Sequence, residues 1–216
     1  PIKEPAKWTG KTFSTLFPAL LVDRWWNTDC PLFRRTVCDA VGPWSNLRWG
    51  QDWEYDARIG SLGTRLVHCK EFVCDQRQHG EMRQTSPANQ IEPERLLVEK
   101  ALHETLYCCA KKAGVTSESP EMQHFARWVF LTARWLGSLG MNREAKQCLQ
   151  LAMMAAGIEK KMLTDMRLYK VFTEIIGWRV VSKFFIITDK FRGTPGKKTI
   201  LWSWSQKDMA ILPSQQ

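Results

Sequence analysis

The sequence predicts an α/β unit followed by an all-α segment, on three observations. Up to about residue 85, short segments alternate between helical and extended patterns, with turn signals at Gly42-Pro43, Gly50 and Gly63 between them. A Ser-Pro-Ala-Asn-Gln stretch from Ser86 reads as a linker, dividing the chain into one unit over 1–85 and a second over 86–216. Beyond it the apolar spacing is almost wholly helical.

In the first unit, Asp52 to Leu62 suits a helix: Trp53, Ala57 and Leu62 keep helical spacing, and Glu54 and Arg58 form an oppositely charged pair four apart. Gly63 is placed to be its C-cap. Thr64-Arg-Leu-Val-His-Cys and Glu71-Phe-Val-Cys are rich in β-branched and apolar residues and read as a strand with an irregular continuation. The second unit opens at Glu92-Pro93, with Pro well placed in a first helical turn. Helices are expected near 92–113, 121–139, 142–156 and 161–176, with a further helix or short extended piece around 178–191. Gly114, Gly140 and Gly157 fall where C-caps are needed. The pair Phe125–Leu139 and Asn142–Ala156 resembles one helical hairpin of a tetratricopeptide-type array, with Ala145, Leu149, Ala152 and Ala156 as a small-residue face. No second copy follows at a fixed period, and one hairpin is not an array.

Composition narrows the functional classes. With 216 residues and 44% hydrophobic content, the chain can bury a core and is not a disordered tail. Its 31 basic and 22 acidic residues give a charge of +9, which favours anionic partners. Eleven Trp against three Tyr mean either core or platforms for flat rings, such as sugars or bases. Seven Cys, an odd number with Cys108 and Cys109 adjacent and no secretory signal, argue for reduced thiols in the cytoplasm. The longest apolar stretches, such as 178–187, are short and carry Arg179 and Lys183, so no bilayer-spanning helix is expected. Pro1 in place of Met, followed almost at once by Trp-rich sequence, points to a piece of something longer.

The most informative stretch runs from Trp26 to Thr85. In order it holds Leu-Phe-Arg-Arg, Val-Gly-Pro-Trp, an acidic residue opening a helix at Asp52, Gly-Thr-Arg-Leu-Val, and Arg77-Gln-His79. This order resembles the second half of the family-two, GT-A fold glycosyltransferases, over roughly the first two-fifths of the chain. The resemblance implies the C-terminal half of a GT-A Rossmann-like sheet. It implies inverting transfer of a sugar from a nucleotide diphosphate donor to a hydroxyl acceptor, a glycan or lipid-linked glycan. It also implies a divalent cation, Mn or Mg, held mainly by a half of the enzyme that this chain lacks. No D-x-D motif occurs, the nearest being Asp52-Trp-Glu54 inside the expected helix, so the fragment alone is expected to be inactive.

The residues make chemical sense for that reaction. A carboxylate must take the proton of the acceptor hydroxyl, and Asp52 sits where helix N–H groups keep a carboxylate ionised and fixed in direction. An ordinary N-cap aspartate has the same features. Gln51 stands where the resemblance leads one to expect an acidic residue or Gly. Trp49 and Trp53 flank the expected base as candidate sugar-stacking faces, although Trp53 also falls on the apolar face of the helix. Arg34 and Arg35 are candidate contacts to the acceptor. Arg77 is the candidate phosphate clamp and His79 the candidate metal ligand. A rival zinc site at His68, Cys69, Cys74 and His79 lacks the C-x-x-C turn, and adjacent His68 and Cys69 point to opposite faces of a strand.

A non-catalytic alternative stands beside this: the helical segment as a module that docks on a protein partner or on an acidic membrane surface. Its lysines include Lys111, Lys112, Lys160, Lys161, Lys183, Lys190, Lys197 and Lys198. The expected location is cytoplasmic, peripheral at the inner face of the membrane. Nucleic acid is not an expected partner, because Trp and basic residues do not interleave in one stripe.

Overall fold

The structure is a computed structural model that describes residues 13–26, 28–69, 92–157 and 160–191. A 3-10 turn at Ala19–Leu21 leads into α1 (Arg35–Val41) and α2 (Gln51–Gly60). The second part holds α3 (Pro93–Lys112), α4 (Pro120–Ser138), α5 (Asn142–Ala156), α6 (Lys160–Ile175) and α7 (Trp178–Phe191).

The helix ends follow from local chemistry. Pro93 and Pro120 each occupy a first helical turn, where a missing N–H costs nothing. Ser119 caps α4 by accepting a hydrogen bond from the backbone N–H of Met122. Gly114 and Gly140, at φ 83° and 81°, each let the chain turn back so that the next N–H reaches inside the finished helix. Val115 N–H donates to the Ala110 carbonyl at 2.9 Å, and Met141 N–H to that of Leu136 at 3.0 Å.

Helix α4 is the hub. It packs against α3, α5, α7 and the 3-10 turn. The α4–α5 hairpin is close because small side chains line it, and Ala145, Leu149, Ala152 and Ala156 are all buried there. On α4's other flank Gly137 faces Ser182 and Trp178 of α7. The Ser182 hydroxyl lies 2.7 Å from the Tyr169 hydroxyl of α6, satisfying two buried polar groups at once. One apolar core runs from Leu16 and Leu20 through Ile59, Leu106 and Phe125 to Tyr169 and Val181.

The fold-class expectation is overturned for the first unit. Among the described residues there is no strand and no sheet, so the chain does not build half of a GT-A Rossmann-like sheet. The β-branched run after Gly63 is extended, but it meets a neighbour at a single bridge, Thr15 with Arg65, supported by Leu66 N–H donating to Ser14 O at 2.8 Å. Past that point Val67 is 95% exposed. β-Propensity becomes a strand only when another strand supplies the ladder, and no described segment lies there to do so. The expected continuation at Glu71–Cys74 lies outside the described residues. Leu-Phe-Arg-Arg leads into α1, with Arg34 as its N-cap residue. The helix expected at 52–62 is α2, and the stretch around 178–191 is helical throughout as α7.

Candidate functional site

Two places carry chemistry beyond packing. The first is built where α2 meets the chain after the 3-10 turn. Asp52 and Asp56 are four apart on α2 and therefore share a face. Arg24 binds both: its Nη1 donates to Asp52 Oδ2 at 2.9 Å and its Nε to Asp56 Oδ2 at 2.6 Å. Thr28 Oγ1 donates to Asp52 Oδ2 at 2.5 Å, and Trp26 Nε1 donates to Asp56 Oδ2 at 3.0 Å. Asp52 Oδ1 accepts from the Trp53 backbone N–H at 2.8 Å.

The two carboxylates differ in environment. The Asp56 side chain is almost fully buried, whereas that of Asp52 keeps 27% of its surface exposed. Burial pushes the Asp56 carboxyl above its ordinary value and outweighs Arg24 and the hydrogen bonds from Arg24 and Trp26, which pull it down; nearby Asp52 adds to the rise. Asp52 is thus an oriented carboxylate at the surface, and Asp56 a structural one beneath it.

The other expected site residues are distributed as follows. Trp53 is half-buried, donates through Nε1 to the Leu20 carbonyl at 3.0 Å and packs on Trp128 with ring centroids 5.1 Å apart. Trp49 lies under two guanidinium groups, Arg48 at 4.7 Å and Arg95 at 5.7 Å from its ring centroid. Arg34 is exposed, and Arg35 pairs with Asp39 one turn along α1 at 2.8 Å. Arg77 and His79, and with them Cys74 of the rival zinc set, lie outside the described residues. His68 and Cys69 are exposed on the extended stretch. Among the described residues no three His, Cys, Asp or Glu gather in a way that could hold a metal ion.

The second place is the outer face of α6 and α7. On α6, Leu168, Val171, Phe172 and Ile175 recur at helical spacing and are exposed, Ile175 to 75%. On α7 the same holds for Val180, Phe184 and Ile187, with Phe184 at 62%. Met162, Met166, Tyr169 and Val181 occupy the opposite, core-facing sides. Both helices are thus apolar inside and out. Arg167, Lys170, Arg179 and Lys183 are exposed beside these stripes, with Asp165 and Glu174 as the exposed acids. No described helix is long and apolar enough to cross a membrane.

Sequence reasoning located Asp52 but missed Arg24, Thr28 and Asp56, although the four-residue spacing of the two aspartates was there to be read. It also missed the α6–α7 face. Its signal was apolar residues exceeding what one buried stripe needs, in a segment whose docking reading rested on its lysines alone.

No protein family matches this chain, and neither a curated protein nor a solved structure matches it. The all-helical architecture of the described residues overturns the resemblance to family-two GT-A glycosyltransferases.

Proposed function

We propose that this chain is a helical docking module, whose core holds α6 and α7 so that their outer faces bind another surface in the cell. The observation that supports it is the double apolar stripe. Single exposed apolar residues are ordinary, but two consecutive helices with exposed large hydrophobic residues at helical spacing form the kind of surface that marks interaction sites. The basic residues beside the stripes fit a docking face that meets an acidic counterpart, at the cytoplasmic side of a membrane or on a protein. Diffusion of the tagged chain in living cells tests this. The parent is expected to move much more slowly than the Ile175→Asp/Phe184→Asp variant, and equal free diffusion of both would refute docking.

A further inference from the structure

We propose that the surface met by α6 and α7 is an anionic lipid bilayer, an inference that rests on the docking reading above. Three features of the face select this occupant over a protein groove or a second copy of the chain.

The first is shape and chemistry. The two exposed stripes are aliphatic and phenylalanine side chains on the outer sides of adjacent helices, with Ile176 and Gly177 at the turn between them. A helix too short and too charged to span, with cations beside an exposed apolar stripe, settles in the plane of the headgroups. The second is the placement of charge. Arg167, Lys170, Arg179 and Lys183 are exposed on the same two helices, and their long stems let the charged ends reach headgroup phosphates while the apolar stripe enters the acyl boundary. Of the exposed acids, Glu174 lies 3.8 Å from Lys170 and Asp165 sits near the start of α6. Asp189 is engaged by Arg134 of α4. The third is long-range electrostatics: a chain of charge +9 is drawn to an anionic surface, while a second copy carries the same net charge.

Co-sedimentation of the full chain with large vesicles tests this, using phosphatidylcholine alone or mixed with phosphatidylglycerol, at low and physiological salt. The expected result is binding to the mixed vesicles that weakens with salt, and at least tenfold weaker binding to phosphatidylcholine alone. Arg179→Gln and Lys183→Gln should each weaken binding to the mixed vesicles by about fivefold, the value of about 1 kcal/mol per cation near such a surface. Ile175→Asp/Phe184→Asp should abolish it, with an unchanged circular-dichroism melting curve showing that these exposed substitutions leave the fold intact. Equal binding to both vesicle types, or binding unaffected by the aspartates, would overturn the proposal. No vesicle binding by a parent chain that still diffuses slowly in cells would overturn the lipid assignment and leave docking on a protein. No vesicle binding with free diffusion would end both.

Discussion

At the scale of single residues, Arg24 holds the Asp52–Asp56 pair together, and its removal should be costly. Without the guanidinium, a buried Asp56 carboxylate loses its counter-charge and faces Asp52, so Arg24→Met is expected to cost about 3–5 kcal/mol in urea unfolding. The pH dependence of Asp56 has a definite sign. Its carboxyl is raised in the folded chain above its ordinary 3.8, so in mildly acidic solution above 3.8 the native state holds more proton than the unfolded chain. This group alone therefore makes stability fall as pH rises through its folded titration, and Asp56→Asn should remove that slope. Stability measured across pH 3.5–7 in parent and variant, with about half-unit steps, reads it directly. Cysteine offers a second check at this scale. Burial pushes the Cys148 thiol up to about 12, while Cys69 and Cys108 are exposed. At pH near 8 a disulfide reagent should modify Cys69 and Cys108 rapidly, and Cys148 only at the rate of unfolding. The start of α2 was legible in the sequence, because an acidic residue after Gly50 opens a periodic run. The partner was not legible. Nothing local says which of many arginines reaches Asp52, and Arg24 is 28 residues away, brought there by the 3-10 turn and the core beneath it.

At the scale of elements, the second unit was legible because its signals are local: Pro at helix starts, Gly just past helix ends, and apolar residues at helical spacing between them. The extended run after Gly63 misled, because composition reports what a segment tolerates and not whether a neighbour exists to pair with it. The resemblance went astray for a related reason, since a string of short motifs carries no information about the sheet that must hold them. Gly137 shows what element packing demands. A Cβ there would press on the Ser182 side chain and lie 3.2 Å from Trp178 Cε3, and Ser182 is itself buried and bonded to Tyr169. Gly137→Ala should thus prise α7 from α4 and cost about 1–3 kcal/mol. Faster amide exchange confined to α7, with α5 unaffected, would locate the damage. Gly140→Ala is the contrast, because nothing lies within 4 Å of its Cβ position. It should cost only the backbone strain of a left-handed residue, about 1–2 kcal/mol, without loosening α7.

At the scale of the whole molecule, the core crosses the linker at Ser86 on which the sequence-based division rested. Trp53 of α2 packs on Trp128 of α4, and Gly50 lies against Leu102 of α3. Leu20, from the 3-10 turn, belongs to the same apolar cluster as Leu106 and Phe125. Contacts of this kind are apolar and shared, so neither side keeps its buried surface if the other unfolds. The chain should consequently unfold in one transition, with indole fluorescence and helical circular dichroism tracing the same urea curve. Leu20→Ala sharpens the test, because it alters only the N-terminal side of the core. A cavity at a fully buried leucine costs about 2–5 kcal/mol, and in a cooperative molecule that loss must appear in the helical signal, which comes mostly from α3 to α7. Two separated transitions, with Leu20→Ala moving only the fluorescence, would instead mean that the stretches before and after Ser86 unfold independently. The same result decides how α6 and α7 are held for docking: in a cooperative fold, anything that loosens the 3-10 turn also weakens the platform that presents them.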